Sequence, residues 1–343
     1  MRFGSFTLCL TMLASPWVAF SQAEPKPDVA SRGAVVPPQA RIARFAGDRA
    51  AAISYTFDDG LRDHYTLAAP LLNEVGFKGT FFVIPGKVSP TVEDAMRRQN
   101  DQRAWGTITW DELRQMSAQG HEIASHTWSH PNLTKLTSQE VDAEFSQAYN
   151  AIKKEIGRPP LTLAYPFNAR TPEIETNALK YHLACRNFQT GVGGERTTVA
   201  WFNAWADQLV NDRQWGVVMA HGISNGYAAF TDPEILRSHL RHVKGRETNI
   251  WVDTFAKVSR YVKECEETKL SIAFTGSGQA ALSLDSSLDP AVYDVPLTLV
   301  LTLPGVTSAR AERAGRELPV RLFNDSIQID AIPGNVPIRV TWQ

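Results

Sequence analysis

An α/β fold, a parallel sheet covered by helices with a smaller all-β domain behind it, is what this 343-residue chain predicts. Three observations carry that prediction. From Ala51 to Glu264 short apolar runs alternate with amphipathic stretches, one of each per unit, as in a parallel sheet with helical crossovers. Beyond about Lys269 the period changes to two residues, in runs separated by Gly, Pro, Asn and Asp, which is the pattern of antiparallel strands joined by turns. Finally, Thr56-Phe57-Asp58-Asp59-Gly60 sets two adjacent carboxylates at the end of the first apolar run, and strand ends of such folds open onto the active-site face.

The elements follow in order. Ala51 to Phe57 reads as a strand, His64 to Val75 as a helix and Thr80 to Ile84 as a strand. Thr109 to Gln119 is a helix capped by Thr109, and Glu122 to Ser125 a strand. Ser138 to Ile156 is a helix with Ser138 as N-cap and Glu140 and Asp142 in its first turns, where acidic groups meet the positive end of the dipole. Leu161 to Tyr165 is a strand, Pro172 to Tyr181 a helix, Val217 to Ala220 a strand and Val252 to Glu264 a helix. The later strands are Leu270–Phe274, Leu297–Leu301, Val320–Phe323, Ile327–Ile329 and Ile338–Trp342, enough for a small β-sandwich. That segment carries few aromatics for stacking on sugar, so a packing or spacer role is favoured over carbohydrate binding. No internal repeat or low-complexity block is present.

The N-terminus reads as a secretory signal: Arg2, an apolar run from Phe6 to Phe20, then Ser21-Gln22-Ala23, with cleavage expected near Ala23. The run is too short, and too broken by Ser15 and Pro16, for a membrane span. Residues 24–44, rich in Pro, Ala and Arg, read as a linker. The expected domains are therefore 1–23 signal, 24–44 linker, 45–267 catalytic and 268–343 β-sandwich-like, and the location secreted or periplasmic. Losing Arg2 takes the formal charge from −1 to −2, which gives no footing to nucleic acid or an anionic membrane. Two cysteines, Cys185 and Cys265, remain after cleavage, too few for a disulfide-held scaffold; separate thiols are expected.

The chemistry lies in two strings. Asp58 and Asp59 can divide labour, one carboxylate binding a metal and the other handling protons. Ser125-His126-Thr127-Trp128-Ser129-His130 holds two histidines four apart, which one helical turn would bring to the same side. Together with an Asp they would make a His-His-carboxylate set with open coordination positions, as catalysis requires. Each string alone has a bland explanation: Asp-Asp-Gly is good turn chemistry, and an i, i+4 pair among eight histidines is not rare.

Taken together, the two strings resemble the first two motifs of the polysaccharide deacetylases, the NodB-homology group of carbohydrate esterase family 4. Gly79-Thr80-Phe81-Phe82-Val83 resembles the strand after that family's first helix, and Val218-Met219-Ala220-His221-Gly222 its late hydrophobic-x-His motif. The likeness covers about residues 45 to 265. It implies a distorted, incomplete (β/α) barrel. By motif match it implies Asp58 as general base, Asp59, His126 and His130 as ligands of one divalent metal, and His221 as general acid. Zinc is the default cation, with cobalt or nickel as substitutes.

One motif departs from the family. Where many members show Arg-Pro-Pro-Tyr-Gly, this chain has Ala164-Tyr165-Pro166-Phe167-Asn168. The backbone N–H of Phe167 stays a reasonable oxyanion donor, but the Arg that would orient the catalytic Asp is missing; Arg170 and Arg186 could supply the charge, although each reads as a surface residue. Trp201 and Trp205, near Asp207, are candidates for a sugar-stacking wall. Trp128 could shape the pocket or pack beneath the metal loop, His64 reads as capping or facing solvent, and Trp105 and Trp110 flank a possible groove border at Lys87–Gly106. The expected activity is hydrolysis of acetyl groups, first from N-acetylglucosamine-type polysaccharide, alternatively as an acetylxylan esterase. A catalytically silent carbohydrate-binding relative would have no chemical need for all five of Asp58, Asp59, His126, His130 and His221. The expected partner is an acetylated glycan, with the protein a monomer.

Overall fold

The computed structural model describes residues 38–98 and 107–343. The predicted signal segment, Trp105 and residues 24–37 of the predicted linker lie outside that range.

In chain order the strands are β1 (Gln39–Ile42), β2 (Ala51–Phe57), β3 (Thr80–Val83), β4 (Glu122–Ser125), β5 (Thr162–Ala164), β6 (Ala184–Arg186), β7 (Thr190–Gly191), β8 (Trp215–Ala220) and β9 (Ile250–Val252). The helices are α1 (Ala69–Glu74), α2 (Val92–Arg98), α3 (Trp110–Ala118), α4 (Ser138–Ile156), α5 (Pro172–Ala178), α6 (Val199–Asp212), α7 (Glu234–Lys244) and α8 (Phe255–Glu267). Strands β2 to β9 form one parallel sheet in the order β6-β5-β4-β3-β2-β8-β7, with β9 also pairing the start of β2. Its ends, β6 and β7, do not pair with each other, so the sheet curls into a half-barrel with helices outside. All seven residues of central β2 are buried, as expected of a strand covered on both faces. At the opposite end of the sheet from the two Asp, half-buried Glu122 accepts hydrogen bonds from Thr80, Thr162 and the Ala256 N–H, tying β3, β5 and α8 together.

Several elements differ from the sequence reading. The first helix starts as a wide turn, with the Ala69 N–H on the His64 carbonyl, because Pro70 has no N–H to offer the regular ladder. The N-cap of α4 is Thr137, not Ser138: its hydroxyl accepts the Glu140 N–H while the Glu140 carboxylate accepts the Thr137 N–H, a capping box placed one residue earlier. Val252 ends β9, and α8 begins after its own cap, Thr254. Helices α2, α6 and α7 have no counterpart among the elements predicted from the sequence.

The C-terminal segment forms β10 (Thr268–Gly276), β11 (Gln279–Ser286), β12 (Leu297–Thr302), β13 (Ala309–Arg313), β14 (Arg316–Leu318), β15 (Val320–Phe323), β16 (Ser326–Ala331) and β17 (Gly334–Trp342). Two antiparallel sheets, β1-β12-β16-β15 and β10-β11-β17-β13-β14, enclose a core that includes Leu282, Leu284, Leu299, Leu301, Ile327, Ile329 and Ile338. The end of the predicted linker is thus corrected, for Gln39–Ile42 is an edge strand of this sandwich, pairing β12 from Gln39 opposite Thr302 to Ile42 opposite Leu299. Its alternating Gln-Ala-Arg-Ile sequence turns Ala40 and Ile42 onto the sandwich core. A separate apolar cluster of Phe45, Trp251, Val258, Tyr261, Val295 and Leu297 joins the sandwich to the barrel.

Candidate active site

Strand β2 delivers the double Asp to the C-terminal end of the sheet. The Asp58 N–H donates to the Ala220 carbonyl at 2.9 Å, continuing the ladder with β8. Asp59 then turns into the left-handed region at φ 75° and Gly60 follows at 61°, so the two neighbouring carboxylates point to different partners. Such a conformation for Asp is uncommon and persists where its surroundings enforce it.

The two histidines do share a site, but no helical turn brings them there. His126 extends β4, its N–H on the Val83 carbonyl at 2.8 Å. The chain then folds back through Thr127 at φ 64° and His130 at φ 66°, with the Thr127 hydroxyl accepting the His130 N–H. Trp128, within this loop, packs on Gly86, whose N–H donates to the Trp128 carbonyl.

His126 Nε2 stands 3.5 Å and His130 Nε2 3.4 Å from the same oxygen of Asp59, Oδ1. These ligand atoms all lie within 4.8 Å of one another. Asp59 Oδ1 is buried and has no hydrogen-bond partner. His126 Nδ1 is 2.8 Å from the Ala164 carbonyl, which can only accept, so Nδ1 carries the proton and Nε2 turns its lone pair inward. Burial pulls the His126 pKa down to about 4 and the His130 pKa to about 3, which keeps both imidazoles neutral. Burial, and after it the Asp58 charge, pushes Asp59 up to about 7. Two neutral imidazoles facing an orphaned buried carboxylate oxygen fit a divalent cation.

Asp58 has the opposite environment. Burial alone would raise its pKa, but the Arg186 guanidinium outweighs that and holds the carboxyl well below the usual carboxylate range. The pair is bidentate, Nη1 to Oδ1 at 2.7 Å and Nη2 to Oδ2 at 2.5 Å, and both side chains are almost wholly buried. Arg186 Nη1 also donates to the Thr56 hydroxyl, and the guanidinium lies over the Phe82 ring with its centre 5.0 Å away. Arg186 ends β6, an outer strand, and reaches Asp58 across the curve of the half-barrel. It is therefore no surface residue, and it supplies the cation missing at Ala164. A lone Arg closing a three-residue strand gives no signal of this, because the meeting depends on sheet curvature. Arg170 pairs instead with Glu175.

His221, just past β8, places Nε2 3.9 Å from Asp59 Oδ2. Phe167, whose φ of 57° turns it left-handed, stands edge-on to His130 with ring centres 4.8 Å apart. All six residues singled out from the sequence, Asp58, Asp59, His126, His130, Phe167 and His221, line one cavity of about 650 Å³ together with Tyr165, Asn168, Arg186, Met219 and Tyr227. The Trp candidates for a sugar wall do not. Trp205 packs on the barrel core, Trp201 is exposed on α6, and Asp207 pairs with Arg246 and His242. Nor does His64 face solvent; it is fully buried, with Nε2 2.8 Å from the His221 carbonyl.

Residues 47–184 match the polysaccharide deacetylase family model. Among curated proteins, the chain is 30% identical over 145 residues to a chitin deacetylase from Pestalotiopsis sp., covering 39% of this chain and 41% of that protein. It is 28% identical over 123 residues to a peptidoglycan-N-acetylglucosamine deacetylase from Listeria monocytogenes, covering 36% and 22%. A longer likeness at lower identity, 22% over 348 residues, joins 87% of this chain to 13% of a gellan lyase from Bacillus sp.. The chain thus spans less than half the length of each of these relatives.

Proposed function

We propose, for a chain whose residues 47–184 belong to the polysaccharide deacetylase family, that it is a metal-dependent hydrolase releasing acetate from a glycan, foremost from N-acetylglucosamine units. The observation that carries this reading is the meeting of Asp59, His126 and His130 with an Arg-braced Asp58 and with His221 in one cavity. Relatives named for chitin and for peptidoglycan N-acetylglucosamine support the N-acetyl substrate class. The gellan lyase likeness touches 13% of that protein and carries no argument for lyase chemistry.

Asp59, His126 and His130 would hold the cation, zinc by default, with cobalt or nickel able to replace it. When bound, a divalent cation polarises the acetyl carbonyl and makes water more acidic. The chain's own groups do the rest. Asp58 is kept ionised by Arg186 and retains a free lone pair on each oxygen, so it accepts the proton of the attacking water. The Phe167 backbone N–H donates to the developing oxyanion. His221 Nε2 then gives a proton to the departing nitrogen, without which an amine is a poor leaving group.

The second reading, an O-acetyl ester such as acetylated xylan, has one observation in its favour. The ring contacts of His221 are the Asp59 carboxylate at 3.9 Å and the Tyr227 edge, neither of them a hydrogen bond that would hold it charged. An ester leaving group asks less of the acid. Acetate release from N-acetylglucosamine oligomers and from acetylated xylan, measured side by side, separates the two. Faster release from the oligomers is expected, release from xylan alone would favour the ester, and none from either or from a generic acetyl ester would overturn both. The N-terminal segment supports export, with action in the periplasm or outside the cell.

A further inference from the structure

Directly after His221 the chain makes a tight loop. The Gly222 N–H donates to the Tyr227 carbonyl, and a side chain at Gly222 would collide with the Asn225 carbonyl, so the loop closes only with glycine there. One oxygen of buried Asp63, Oδ2, accepts three consecutive backbone N–H groups from this loop, those of Ile223, Ser224 and Asn225, at 2.7, 3.0 and 3.2 Å. The neighbouring His64 grips the His221 carbonyl. Asp63 and His64 follow the double Asp by a few residues, so the segment that carries Asp58 and Asp59 also clamps the loop that follows His221.

The product of this clamp is the placement of Tyr227. Tyr227 is 63% exposed, lines the candidate cavity, and sets its ring perpendicular to His221 with centres 5.1 Å apart. The Phe167 ring, equally exposed at 63%, stands edge-on to His130 in the same cavity. Tyr227 and Phe167 are the two most exposed large apolar side chains among the described residues, and both lean on site histidines. Sugar rings present flat C–H faces that pack on aromatic rings of this kind.

We propose that Tyr227 is a specificity residue that packs against the face of the acetylated sugar, with Phe167 as the companion ring, and that Asp63 is the positioning residue that holds Tyr227 there. The proposal rests on the deacetylase reading for its substrate class. Tyr227 contributes a ring and not its hydroxyl, so Tyr227→Phe keeps the function and Tyr227→Ala loses it.

The test compares N-acetylglucosamine oligomers with a small acetyl ester that has no sugar. Tyr227→Ala is expected to lower kcat/KM on the oligomers about tenfold more than on the ester, through KM, with Tyr227→Phe near wild type; tenfold corresponds to about 1.4 kcal/mol. Asp63→Asn is expected to shift KM in the same direction. The double variant with Tyr227→Ala should be no worse than the worse single one, since both act through the same ring. Oligomer binding to Asp58→Asn protein, measured by calorimetry with and without Tyr227→Ala, decides the point even if no acetate is released. Weaker binding on loss of the ring would then uphold the subsite while the deacetylase reading fails. Equal loss on ester and oligomer, or unchanged oligomer binding without Tyr227, would overturn the proposal.

Discussion

At the residue scale, two adjacent carboxylates owe their division of labour to their surroundings. Asp58 faces a buried guanidinium and stays an anion; Asp59 faces two neutral imidazoles and keeps an orphan oxygen. Asp58→Asn should therefore retain bound metal while losing most turnover, and His126→Ala should lose the metal, both read by metal analysis beside acetate release. Metal loss in Asp58→Asn would mean that the two Asp roles are reversed. Removing Arg186 leaves Asp58 buried without its cation, and breaking a buried pair costs about 3–5 kcal/mol. Arg186→Met should thus lower both activity and the melting temperature, whereas a surface Arg would affect neither. The ligand-type residues were legible because side-chain chemistry and motif order announce them. Arg186, His64, Asp63 and Tyr227 were not, because their roles depend on which strand ends meet, and no local spacing encodes that.

At the element scale, the alternation of apolar and amphipathic runs was sufficient for the strands under the site. Glu122–Ser125 falls where the sequence places it, and β2 opens onto the site as read. What failed was local chemistry with two solutions. Thr137 and Ser138 are both good caps, and only Glu140 three residues on selects Thr137. The i, i+4 histidine spacing suggested a helix, but Thr127 and His130 take left-handed turns that sequence periodicity cannot reveal. Helix α6 packs closely on β8 at Gly216, where a methyl group would run into Leu209 and Trp205. Gly216→Ala should destabilise the fold by about 1–3 kcal/mol, the range for overpacking, read as a lower denaturant midpoint. An unchanged midpoint would show that α6 can move away from the sheet.

At the scale of the whole molecule, the change of period near Lys269 was legible, but the tie between sandwich and barrel was not. The sandwich takes its edge strand from Gln39–Ile42, ahead of the barrel, and shares with the barrel the cluster around Phe45, Trp251 and Tyr261. A chain ending at Glu267 should therefore melt at lower temperature than the full chain, and the full chain in one transition; two separate transitions would contradict this. Acid should act on the same unit through histidines outside the metal set. Burial pulls His121 and His182 down to about 4 and His239 to about 3, so the unfolded chain binds more protons below about pH 6.5. Stability from these groups is complete above that pH and lost as pH falls toward 4, visible as a falling melting temperature; a level melting temperature down to pH 4 would contradict it. The central claim, that Asp59, His126 and His130 hold a cation on which glycan deacetylation depends, is tested most directly by acetate release from N-acetylglucosamine oligomers before and after chelation. Release is expected to stop with chelator, to return with added zinc, and to be absent in Asp59→Ala at any zinc concentration. Undiminished release from protein shown to be free of metal would contradict it.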